Sequence, residues 1–136
     1  MTEIKELIRL AVTARDAAYA PYSGFAVGVA LIGDDGAPHA GCNVENASYP
    51  MGSCAEAAAI AAMVLNGGRV IRELVLVGPD GRACPPCGGC RQRIREFAGP
   101  GTVVHLCSET GVLRTMTMNE LLPESFGPEN LNQRTK

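Results

Sequence analysis

Three cysteines, Cys84, Cys87 and Cys90, stand three residues apart in the run "CPPCGGC". A fourth, Cys54, is followed two residues on by Glu56 in the alanine-rich stretch "SCAEAAAIAAM". Thiolates are soft donors that suit zinc and iron–sulfur clusters. The run by itself leaves more than one reading open. A bacterial iron–sulfur run continues to a further cysteine followed by proline, whereas "RQRI" follows Cys90 here. A purely structural zinc site of four cysteines would need to recruit a distant thiol such as Cys107. A role as small buried hydrophobes suits an isolated cysteine better than three at this spacing. A catalytic zinc asks for three protein ligands and one position left open for water.

Cys87 and Cys90 lie where a loop enters a predicted helix, with Pro86 before and Gly88 and Gly89 between. Cys54 lies at the same place on another helix. Exposed N–H groups at a helix start favour negative charge and so stabilise thiolates. Two such helix starts, each following a strand of one sheet, would bring three thiolates onto one ion. Glu56 is the residue of its stretch that does not suit a buried helix. Residues two apart in a regular helix point to nearly opposite sides, so Cys54 and Glu56 share a site only if Cys54 is the cap. A carboxylate placed there can take a proton from water and pass it on. As an ordinary first-turn residue it would merely favour the helix dipole.

The elements that must position these groups follow from periodicity. Residues 3–18 carry apolar spacing at Ile4, Leu7, Ile8 and Ala11 and read as a helix stopped by Pro21. Residues 25–33 read as a strand, "DDG" as a turn, and 37–45 as the return strand. A helix over 54–66 is closed by Gly67 and Gly68. Strand 71–78, a loop, helix 89–98, and strands 102–107 and 111–118 come next. A short helix and an irregular tail complete the chain. Two successive βα crossovers favour neighbouring parallel strands with helices packed on them. The expected fold class is α/β, a three-layer α/β/α sandwich around a mixed, roughly five-stranded sheet.

A chain of 136 residues reads as one domain, 1–136. Hydrophobic content of 46% against 19% charged residues marks a globular protein. A net charge of −2, with no basic run longer than a pair, speaks against binding long nucleic acid through its phosphates. No apolar run approaches the about 20 residues of a membrane span, and the charged start "MTEIKELIRL" is unlike a signal peptide. The expected compartment is the cytoplasm, where six cysteines argue for metal or catalysis more than for disulfides.

With Cys-Ala-Glu at 54–56 and Pro-Cys-Gly-Gly-Cys at 86–90, the chain resembles the zinc-dependent cytidine deaminases of the small, homotetrameric type. The resemblance runs nearly end to end through "YAPYSGFAVGVAL", "GCNVENASYP", "PCGGCRQRIREF" and "LLPESFGPENL". It implies hydrolytic deamination of cytidine, and of deoxycytidine, in pyrimidine salvage, with one Zn2+ per chain held by Cys54, Cys87 and Cys90. It implies that Glu56 shuttles the proton of the reaction. Asn43 and Glu45 would bind the ribose hydroxyls, Phe25 would pack on the base, and the Ala55 backbone would hold the pyrimidine edge. Tyr49 and Phe126 resemble residues that reach into the site of an adjacent subunit of a homotetramer. Phe126 is otherwise odd, a large apolar residue in a tail bounded by proline and glycine. No nucleic acid and no membrane is an implied partner. A related reading is a deaminase of a modified cytosine nucleoside or cytosine-containing antibiotic, and a rival from another class is a zinc-binding module without activity.

Cys84 has no counterpart role in the family and reads as structural, and His39 and His105 read as ordinary strand residues. Many family members carry arginine after the catalytic glutamate, whereas this chain has Ala57. Three thiolates on Zn2+ leave a formal charge of −1, which raises the pKa of bound water. Arg91, next to Cys90, is the basic residue expected to offset that charge.

Overall fold

The computed structural model describes residues 2–131. Helix α1 (Ile4–Asp16) turns Leu7, Ile8 and Ala11 into the interior, as its spacing predicts, and ends two residues earlier than expected. Strand β1 (Gly28–Gly33) and strand β2 (Pro38–Cys42) form a hairpin whose turn needs Gly36 at φ +80°. A single 3-10 turn, Tyr49–Met51, precedes helix α2 (Ala55–Leu65), and Gly67 at φ +95° follows its end. Strand β3 (Ile71–Val77) leads through a loop to helix α3 (Gly88–Glu96). Strands β4 (Ala98–Ser108) and β5 (Gly111–Thr117) complete the sheet. Thr117 and Glu120 form a reciprocal cap on the short helix α4 (Met118–Leu121). A last turn, α5 (Pro128–Leu131), occupies part of the tail expected to be irregular. Residues 132–136 of that tail lie outside the described residues.

The five strands lie in the order β2-β1-β3-β4-β5. Only β3 and β4 are parallel neighbours, and the other pairs are antiparallel. The first of the two expected crossovers therefore does not produce adjacent parallel strands. The β1–β2 hairpin occupies one side of β1, and β3 pairs with β1 on the side that β2 leaves free. Two boundaries also differ. β4 begins at Ala98 instead of 102, because Ala98 pairs with Ile71 before the register shifts to Val103. The Thr102 side chain holds that irregular stretch, donating to the Ile71 carbonyl and accepting from the Gly99 N–H at 2.8 Å. β1 begins at Gly28 instead of 25, because a side chain and not a strand pairs with the backbone before it.

Alternating residues of β1, β3 and β4 face two separate cores. Val29, Leu31, Leu74, Leu76, Val104 and Leu106 pack with α2 and α3 on one face. Ala30, Ile32, Val75, Val77 and Cys107 pack under α1 on the other. Burial of each Leu or Val is worth about 1.5–3 kcal/mol. This is the expected α/β/α sandwich. The alanines of α2 let it lie close on the hairpin: a Cβ on Gly41 would stand 2.6 Å from the Ala58 Cβ and 2.5 Å from the Ala59 nitrogen. That contact fixes where the start of α2 falls.

Candidate active site

Cys54 is the N-cap of α2, extended at φ −87°, ψ 161°, and Cys87 is the N-cap of α3, extended at φ −68°, ψ 168°. The helices proper begin one residue later, so Cys54 and Glu56 escape the opposition that two helical residues would suffer. Ligand atoms of Cys54, Glu56 and Cys90 all lie within 4.8 Å of one another. Cys87 is exposed and falls outside that tight group, but it lines the same cavity as the other three.

Cys54 and Cys90 influence each other's titration. Cys54 is drawn down to about 6, first by the hydrogen bond from Cys90 and then, against burial, by the Ala57 N–H. The same bond, followed by burial, pushes the Cys90 thiol far up. Glu56 is only 4% exposed. Burial pushes its carboxyl above the usual range, opposed by its own N–H and reinforced by Cys54.

The arginine beside these sulfurs is not the expected one. Arg91 donates from Nε to the Pro86 carbonyl at 2.9 Å and from Nη1 to the Leu121 carbonyl at 2.8 Å. It braces the loop before α3 against the end of α4. One residue after Cys90 on a helix, its side chain leaves on a different face. Arg93, three residues after Cys90, shares that face and places Nη1 3.8 Å from the Cys90 sulfur. The i+3 spacing was the signal that could have found it.

A cavity of about 190 Å³ contains Phe25, Asn43, Cys54, Glu56, Cys87 and Cys90 in its wall, and Ala55 and Cys84 also border it. Cys84, passed over in the sequence as structural, approaches so closely that a Cβ on Gly78 would stand 2.6 Å from its own Cβ. A second cavity of about 260 Å³ is bounded by Tyr22, Ser23, Glu45, Asn46, Tyr49 and Gly52. Asn43 and Glu45 both hold the loop that carries Phe25. The Asn43 amide bonds the backbone of Phe25 and Val27. The Glu45 carboxylate accepts from the Tyr22 N–H at 2.9 Å, the Ser23 N–H at 3.1 Å and the Ser23 hydroxyl. Chiefly through the Ser23 hydroxyl, its carboxyl is held below the usual range. Each side chain keeps capacity for a further hydrogen bond. Phe25, Tyr49 and Phe126 are 48%, 74% and 57% exposed. His39 bonds Asp35 at 2.9 Å, and His105 bonds Glu73 at 2.6 Å and Thr115 at 2.7 Å, and neither histidine lines the cavity of Cys54, Cys87 and Cys90.

The donor set fits zinc. Two sulfurs on a tetrahedral zinc, each at about 2.3 Å, stand about 3.8 Å apart, and the Cys54 and Cys90 sulfurs, within 4.8 Å of each other, need little adjustment to reach that. Soft thiolates at two helix N-termini favour zinc over the hard cations.

Residues 1–107 match the sequence profile of the "Cytidine and deoxycytidylate deaminase zinc-binding region". A cytidine deaminase of Halalkalibacterium halodurans is 41% identical over 126 residues, which cover 93% of this chain and 96% of that protein. One from Sporosarcina psychrophila is 39% identical over 130 residues, covering 96% of each. The crystal structure of cytidine deaminase from Burkholderia pseudomallei superposes with a TM-score of 0.84 at 40% identity, over 92% of this chain and all of that one.

Proposed function

Because the chain belongs to the zinc-binding family of cytidine and deoxycytidylate deaminases, we infer that it hydrolyses cytidine to uridine and ammonia. Deoxycytidine is a second substrate, and the setting is pyrimidine salvage, with residues 1–136 acting as one deaminase domain. The observation that carries this reading is Glu56, a carboxylate buried among thiols where two helices begin. A zinc module without activity has no use for it.

Cys54, Cys87 and Cys90 hold one zinc per chain, and what the metal supplies when bound is Lewis acidity toward water. Glu56 accepts the proton of the attacking water and delivers it to N3 of the pyrimidine while the oxygen adds to C4. The emptied carboxylate then takes the remaining proton from the C4 hydroxyl and gives it to the departing amine, so that loss of ammonia leaves a carbonyl at C4. Burial suits Glu56 to this work, since a raised pKa makes gaining and losing a proton closer in cost near neutral pH.

Phe25 covers one face of the base, and the Ala55 backbone takes its polar edge. Asn43 and Glu45 use their remaining hydrogen-bonding capacity on the ribose hydroxyls. The Glu45 charge also opposes a 5′-phosphate, so free nucleosides are preferred to nucleotides. Tyr49 and Phe126 serve the site of an adjacent subunit in a homotetramer, a reading supported by the apolar surface that each leaves exposed. A cytoplasmic location agrees with six free cysteines. No described helix is long and apolar enough to cross a membrane.

The test is a spectrophotometric assay with cytidine, deoxycytidine, cytosine and CMP. Turnover of the two nucleosides alone is expected. A zinc-loaded protein that releases no ammonia from any of the four would be a binding module instead.

A further inference from the structure

We propose that Arg93 is a positioning residue of the metal centre, donating a charge-assisted hydrogen bond to the Cys90 sulfur and offsetting the excess negative charge of three thiolates. The inference rests on the reading of Cys54, Cys87 and Cys90 as zinc ligands. Arg93 Nη1 lies 3.8 Å from the Cys90 sulfur, within reach of a large polarisable acceptor. The space above Gly89 borders both Arg93 and Cys87. The point where a Cβ on Gly89 would stand is 3.5 Å from Arg93 Nη1 and 4.0 Å from the Cys87 sulfur. The guanidinium thus lies over the first turn of α3 beside the Cys90 thiol, and glycine at 89 leaves the space open.

Arg93 has no carboxylate partner among the described residues, whereas Arg15 and Arg95 are paired with Glu109 and Glu129. Its positive charge is therefore held by no ion pair among them and lies beside sulfur, with the Glu56 carboxylate also within its electrostatic reach. Compensation at the other helix is of a different kind. The start of α2 offers Cys54 the Ala57 N–H, while the Ala57 side chain brings no charge. One helix supplies a backbone dipole and the other a full cation. An N–H donor withdraws electron density from a metal-bound thiolate, which makes the sulfur a weaker donor and a weaker nucleophile.

Arg93→Gln removes the charge and Arg93→Lys restores it at shorter reach. Each is compared with the parent by the thiolate-to-cobalt charge-transfer bands of the Co2+-exchanged protein. The zinc-loaded forms are compared by their rate of zinc release under excess N-ethylmaleimide. Arg93→Gln is expected to move the bands to lower energy and to speed release about threefold or more, with Arg93→Lys in between. Loss of metal from Arg93→Gln but not from Arg93→Lys has the same meaning. Bands and release rates equal to the parent's would overturn the proposal. So would equal metal loss from both variants with the fold intact by circular dichroism, since shape and not charge would then matter. A parent that binds no stoichiometric metal would instead refute the zinc assignment on which the inference stands.

Discussion

The Asn43 side chain donates from Nδ2 to the Phe25 carbonyl at 2.8 Å and accepts on Oδ1 from the Val27 N–H at 2.9 Å. It replaces a missing strand along the backbone that leads into β1 and so sets the height of Phe25 over the cavity. Net hydrogen bonds of this kind are worth about 1 kcal/mol each. Asn43→Ala should therefore lose about 2 kcal/mol in urea unfolding and raise KM for cytidine. Asn43→Asp, which keeps the acceptor, should lose about half as much stability. Equal stability of all three proteins would show that Asn43 does not hold the loop.

Glu45 joins the same loop through three donors, yet its charge is assigned to discrimination against phosphate. Glu45→Gln keeps acceptor and shape while removing the charge. The ratio of CMP to cytidine turnover should rise about fivefold, the worth of about 1 kcal/mol of Coulomb repulsion in a partly solvated site. An unchanged ratio would leave Glu45 with the loop alone.

The features legible in the sequence were those that a local pattern encodes. The apolar run of β1, the caps at Cys54 and Cys87, and the placement of Glu56 beside Cys54 all follow from neighbours in the chain. What the sequence concealed depends on partners far along it. The side-chain pairing of Asn43 with residues 25 and 27 shortens β1. The hold of Thr102 on Ile71 lengthens β4. The choice of β1 as the partner of β3 is a matter of sheet order, which no local pattern contains. Arg91 is adjacent to Cys90 in sequence, but helical phase puts Arg93 beside the Cys90 sulfur and sends Arg91 to the Pro86 and Leu121 carbonyls.

Phe126 is exposed, while its carbonyl is held by Gln92 Nε2 at 2.8 Å, so α3 fixes the tail at the point where the ring projects. Phe126→Ala and Glu56→Gln should each be impaired or nearly inactive alone. Dissociated together and reassembled, they should recover activity in sites that combine an intact tail from one chain with an intact glutamate from another. No recovery, with assembly confirmed by light scattering, would return Phe126 to its own subunit.

The raised pKa of Glu56 carries a stability cost of definite sign. Below about pH 4 the carboxyl is protonated in folded and unfolded chains alike and the cost vanishes. As pH rises, the unfolded chain ionises first, and the folded state is penalised increasingly until its own pKa is passed. Metal-free Glu56→Gln should thus melt above metal-free parent at pH 7, with the gap closing toward pH 4. A gap that instead widened on acidification would reverse the assigned shift.

The division of labour between metal and carboxylate is tested most directly by measuring zinc content and cytidine turnover together in Glu56→Gln. The variant should hold about one zinc per chain, as the parent does, because Cys54, Cys87 and Cys90 remain. Its turnover should fall by about 10²–10⁴-fold, the usual contribution of a placed proton shuttle. A zinc-loaded Glu56→Gln that releases ammonia from cytidine at the parent's rate would contradict the role given to Glu56.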